Sequence, residues 1–157
     1  YIGAISIALM NQGLVFEYAS KYCAENPPPA DFRKFSLNDV EYEKFVLWCK
    51  NQKFTYVTDM EHQVNELLEI SKKERTYTDL EAHITTLTDK IEANKALDFI
   101  RFKKEIVRFL EQQIAFDYGL YQGQAEVSLN NDKEVIEARN VLNNHTLHLK
   151  ILSASID

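Results

Sequence analysis

The chain has 157 residues, 45% of them hydrophobic and 27% charged, with a net charge of −6. That is one ordinary soluble domain with room for a core. An acidic chain with no basic run among its aromatics argues against nucleic acid as a partner. No apolar run approaches the ~20 residues that cross a bilayer. Four glycines and three prolines, the prolines adjacent, leave few places to turn, and many i, i+3 and i+4 apolar spacings predict an all-α fold.

Tyr1–Met10, YIGAISIALM, is apolar nearly all round. Such a segment is either swallowed by its own domain or leaves Ile2, Ile5 and Ile7 as a docking surface, self-associating or poorly ordered when isolated. The chain starts at Tyr1 with no signal-peptide pattern and reads as a segment of something longer. Leu14, Val15, Tyr18, Ala19 and Tyr22 resume a helical stripe, which Pro27, Pro28 and Pro29 stop. Asn38 and Glu41 have capping-box spacing, and Tyr42, Phe45, Val46 and Cys49 follow on one face with Trp48 beside it. Lys53–Val57, KFTYV, is the only alternating stretch. It is too short for a sheet of its own and is expected as an extended linker whose Phe54 and Tyr56 plug the core.

Thr58 with Glu61, and Thr78 with Glu81, repeat the capping signal. The first opens a helix with Met60, Val64, Leu67 and Leu68 inward. The second opens one whose Leu80, Ile84, Leu87 and Ile91 form a seam for one partner helix. That partner is expected to be the long helix Leu97–Gln122, after a turn near Asn94; a single unbroken helix is the alternative. Phe99, Phe102, Ile106, Leu110, Ile114, Tyr118 and Tyr121 make its broad apolar stripe. Asp132 is the expected cap of a helix through Asn143, and a last helix covers His145–Ser153.

Catalytic and metal-binding chemistry is not marked. His145 and His148 share a helix face, but no HExxH or cysteine cluster accompanies them, which favours two exposed histidines. There is no nucleophile elbow, P-loop or dinucleotide fingerprint, and no cofactor is expected. Ser20-Lys21 and Ser71-Lys72 are helix neighbours pointing about 100° apart, the wrong geometry for a dyad. Cys23 and Cys49 read as two buried small hydrophobes. Tyr18, Tyr22, Tyr118 and Tyr121 read as packing residues with polar tips, or else as the lining of a partner groove.

Three stretches carry a resemblance. They are Leu14–Ala19 with Tyr22; Phe54-Thr55-Tyr56 ahead of Thr58; and Glu111 through Asn143, with Ile114, Tyr118, Tyr121-Gln122-Gly123, Glu126, Leu129, Asp132, Ala138 and Leu142. Together they resemble the C-terminal tail of carboxy-terminal processing (tail-specific) serine peptidases of the S41 type, in their Bacteroidetes-like form. The similarity covers nearly the whole chain. The chain departs from those relatives at Asp117, where an arginine is usual.

The resemblance implies a parent serine endopeptidase with a PDZ module and a Ser–Lys core, neither of them within this chain. It also implies a periplasmic place in a bacterial envelope. The expectation is therefore an irregular multi-helix bundle of about six or seven helices, with no catalytic, cofactor or metal residue. Residues 1–13 would connect it to the core and residues 14–157 would form the tail. Its function would be to pack on the protease core and support substrate access or oligomerisation, with Ile2, Ile5, Ile7, Tyr118 and Tyr121 as candidate interface residues. The rival readings are a free-standing helical interaction domain and a small-molecule-binding bundle.

Overall fold

Several helix starts are set by the capping side chains that the sequence offers. Asn38 accepts from the Glu41 N–H at 2.8 Å to open α3 (Asp39–Asn51). Thr58 and Glu61 form a reciprocal box: the Thr58 N–H donates to Glu61 Oε2 at 2.7 Å and the Glu61 N–H to Thr58 Oγ1 at 3.2 Å, opening α4 (Asp59–Lys73). Asp132 accepts from the Glu134 and Val135 N–H groups to open α8 (Lys133–Asn143). Each contact satisfies donors that helical bonding leaves orphaned.

The structure, a computed structural model, describes residues 2–154. Tyr1, which begins the apolar N-terminal stretch, lies outside the described residues. Besides the helices already given, the described chain holds α1 (Ala4–Asn11), α2 (Leu14–Glu25), a 3₁₀ turn (Phe32–Lys34) and α5 (Tyr77–Lys95). It continues with α6 (Asp98–Arg101), α7 (Lys103–Ser128) and α9 (His145–Ala154). That makes nine α-helices, with no strand among the described residues. The fold is all-α, with more helices than the six or seven expected: the apolar N-terminal stretch forms a helix of its own, α1, and a single helical turn, α6, stands before the long helix.

Two compact units divide the chain. The first takes residues up to Phe16 with Asn38–Val107, the second Glu17–Leu37 with residues from Arg108 onward. What reads in the sequence as a single helical domain is thus built as two units, each from separated stretches. Residues 2–13, expected as a connector, belong to the first.

In the first unit the buried apolar side chains include Ile5 and Leu9 of α1, Tyr42, Phe45 and Cys49 of α3, and Ile106 of α7. Full burial of such side chains is worth roughly 1.5–3 kcal/mol each. The seam of α5 finds a partner other than the expected one: Ile84 and Ile91 cluster with Val64 and Leu68 of α4. The reason is the turn between them, where the Thr76 N–H bonds the Ser71 carbonyl at 3.0 Å and sends α5 straight back along α4. That turn also displaces the Thr78 cap. α5 starts at Tyr77, and Glu81 accepts from the Tyr77 hydroxyl at 3.1 Å instead of capping. KFTYV is no strand: Lys53 stands in the turn that ends α3 and residues 54–57 are irregular, with Phe54 stacked on Tyr56 at 5.5 Å and meeting Phe99 edge-on at 6.0 Å.

Leu97–Gln122 is not one helix. α5 ends at Lys95, near the expected turn, and α6 is a single turn closed at Phe102, where φ is −100° and ψ 13°. Phe102 is held against Gly3, where a Cβ would lie 2.6 Å from the ring. The long helix is displaced to Lys103–Ser128 and bends at Leu120, where φ is 51° and ψ −144°. In the second unit α7 buries Leu110, Ile114, Ala115 and Val127, α2 buries Tyr18 and Ala19, and α8 and α9 pack on each other.

Lys53 and Arg75 end α3 and α4 at φ 57° each, a left-handed conformation that costs a side-chain-bearing residue about 1 kcal/mol. Both are exposed. Lys53→Gly and Arg75→Gly are each expected to raise the melting temperature by about 3 °C. A fall in calorimetry would show that no strain is relieved there.

Candidate functional site

Asp98 is an acid among apolar neighbours, Leu97 and Phe99, and it is almost fully buried. Its carboxylate accepts from the Tyr56 hydroxyl at 2.6 Å on Oδ2 and from Arg101 Nη1 at 2.8 Å on Oδ1. Burial, then the hydrogen bond to Asp98, push the Tyr56 hydroxyl far above its ordinary range. Lys95 lies 4.9 Å over the Tyr56 ring and donates to Glu61 Oε1 at 2.7 Å, both side chains being only 14% exposed. Burial opposes the Glu61 charge, but the Lys95 ammonium and the Thr58 N–H outweigh it and hold the carboxyl down at about 2. The capping box, α5 and α6 are therefore tied by one chain of polar contacts.

Of these groups Thr58, Lys95, Asp98 and Arg101 wall a groove of about 500 Å³, with Leu87, Ile91 and Phe102 as its apolar lining and Met60 beside them. A second groove of about 400 Å³ shares Ala4 and Asp59 with it and is lined by Ile2, Ile7, Tyr56 and Val57. Ile2 and Ile7 are 42% and 43% exposed, and Val57 and Met60 more so. Of the candidate interface residues on α1, Ile5 is corrected: at 1% exposure it belongs to the interior, because a helix apolar all round must turn one face inward.

Tyr118 is half-buried, and its hydroxyl donates to the Asn26 carbonyl at 2.6 Å, next to the end of α2. Burial, then contact with Cys23, push that hydroxyl up to about 12. It serves to finish α2 where the prolines leave carbonyls unbonded, so its polar tip faces inward. Tyr121, 78% exposed, stays at the surface with Phe116 edge-on at 5.3 Å. Asp117 accepts from Gln113 at 2.8 Å and from Ser20 at 3.4 Å.

The serines that neighbour lysines have other partners. Ser71 is buried and donates to the Leu68 carbonyl at 2.8 Å, while Lys72 pairs with Glu69. Ser20 bonds Asp117, and Lys21 pairs with Glu25. Cys23 and Cys49 are free thiols, and burial raises Cys49 to about 12. No group of three or more His, Cys, Asp or Glu among the described residues is placed to hold a metal ion. No helix among the described residues is long and apolar enough to cross a membrane.

Sequence reasoning missed Asp98, Lys95, Val57 and Met60. An acid flanked by Leu97 and Phe99 was the available signal for the first. The family described as probable PDZ-protease, C-terminal helical domain, has a model that matches residues 5–142. No curated protein and no solved structure is significantly similar to the chain.

Proposed function

The chain belongs to the family of C-terminal helical domains of probable PDZ-proteases, and from that premise we propose that it is a non-catalytic tail that packs on the protease core of its own polypeptide. The parent in this reading is a carboxy-terminal processing serine peptidase of the S41 type, Bacteroidetes-like and periplasmic, on the resemblance of the residues given above. Packing against the core supports substrate access by fixing the tail beside it. The observation that carries the reading is the exposed apolar face of the first unit. Ile2, Ile7, Val57 and Met60 surround two adjoining grooves and leave a contiguous apolar surface for a protease core to cover.

The test is the double variant Ile2→Glu, Ile7→Glu, made both in the 157-residue chain and in the polypeptide with its upstream region. The isolated chain should melt as before, within about 0.5 kcal/mol, as exposed sites do. In the longer polypeptide the tail should become open to limited proteolysis and peptidase activity should fall. Unchanged proteolysis and activity in the longer polypeptide would contradict the docking. Loss of the isolated chain's cooperative melt would return this face to the domain's own core.

A further inference from the structure

α8 and α9 pack on each other, yet no residue of α8 is buried. Ile136 and Leu142 on α8, and Leu147, Leu149 and Leu152 on α9, are all substantially exposed. Leu149 and Leu152 stand at i, i+3, on one side of α9. Along α8 runs a groove of about 590 Å³, lined by Ala138, Val141 and Leu142 with Lys133, Glu134 and Glu137 at its rim. Groove and protruding leucines lie on the same hairpin, which is the condition for a self-complementary two-fold contact.

Charge narrows the choice of occupant. Within residues 132–154 the acids Asp132, Glu134 and Glu137 are balanced by Lys133, Arg139 and Lys150, so the surplus of −6 lies elsewhere in the chain. A second copy of the hairpin would meet no net repulsion, and its α9, which carries Lys150 and no acid, would meet a rim in which Glu134 and Glu137 outnumber Lys133. Two such hairpins make four helices, enough to bury apolar faces that one hairpin leaves open.

We propose that the α8–α9 hairpin is a self-association surface whose occupant is the same hairpin of a second copy of this chain, α9 of each seated in the α8 groove of the other. α9 lies beyond the residues matched by the family model, while the α8 groove lies within them. This surface extends the oligomerisation expected of the tail but does not depend on the docking face, which is in the other unit. Failure of one reading therefore leaves the other standing.

Light scattering on the 157-residue chain at tens of micromolar tests it, a range that detects micromolar dissociation constants. The expected mass is twice 18.3 kDa. Leu149→Asp with Leu152→Asp should weaken the dimer on the order of a hundredfold, since central apolar anchors dominate interfaces, and leave far-UV circular dichroism and the melt intact. Leu142→Glu, altering the groove side, should do the same. A monomeric wild type, or variants that stay dimeric, would overturn the proposal. Loss of the cooperative melt in both variants would overturn it too, by placing these leucines in the chain's own core. A wild type that gains no mass alone but buries the hairpin when the upstream polypeptide is present would assign the surface to that polypeptide instead.

Discussion

Lys95→Met is expected to destabilise the first unit by about 3 kcal/mol, the scale of breaking a largely buried ion pair by removing one partner. The variant leaves Glu61 Oε1 without its ammonium at 14% exposure and removes the cation over the Tyr56 ring. The pH dependence gives a second signature. Folding lowers the Glu61 carboxyl from 4.5 to about 2, so the charged form is the one that the fold favours. That contribution is complete above the unfolded value near 4.5 and is lost as pH falls towards 2. Denaturant titrations of the wild type should show stability dropping through that window, and Lys95→Met should flatten the drop. Equal slopes for the two proteins would remove Glu61 from the account of acid sensitivity.

Gly123→Ala should cost the second unit about 3 kcal/mol, at the upper end of overpacking. A Cβ there would stand 2.3 Å from the Ala115 carbonyl oxygen, a backbone atom that cannot rotate aside, and 3.3 Å from the Phe32 ring. The bend at Leu120 creates that close approach. Leu120 itself is exposed and sits at φ 51°, so Leu120→Gly should instead gain about 1 kcal/mol by relieving the left-handed backbone. Opposite signs three residues apart in denaturant melts would confirm a glycine-dependent corner. A neutral Gly123→Ala would mean that α7 runs straight in solution.

What could be read from the sequence was local. The Thr58–Glu61 box and the Asn38 and Asp132 caps form as predicted because donor and acceptor lie within one turn. The alternation of KFTYV correctly marked Phe54 and Tyr56 as the half-buried residues of that stretch, between exposed neighbours. Non-local pairings escaped. Ile5 and Ile7 are equally apolar neighbours, and only tertiary packing decides that one is interior and the other exposed. Nothing near Tyr118 announces Asn26 as its acceptor. The seam of Ile84 and Ile91 predicted a partner helix but the wrong one, the long helix in place of α4, since both offered apolar faces. The long helix was expected to run unbroken through Gly119 to Gln122, and no sequence signal placed the left-handed backbone on Leu120. Among the surfaces, the apolar N-terminal stretch was visible; Val57 and Met60, which extend it, belonged to segments read as linker and core.

Met60 offers the most direct measurement of whether a protease core covers this face, because its thioether oxidises at a rate set by exposure. It lines the groove walled by Lys95, Asp98 and Arg101 and is exposed in this chain. The comparison is the rate of Met60 sulfoxide formation under dilute peroxide, read by peptide mass spectrometry, in the 157-residue chain and in the polypeptide carrying its upstream region. Docking predicts a slowing on the order of tenfold in the longer polypeptide, as for a methionine moved from surface to interface, restored by the Ile2→Glu, Ile7→Glu variant. Equal rates in the two proteins would contradict the claim that the tail packs on the protease core through this face.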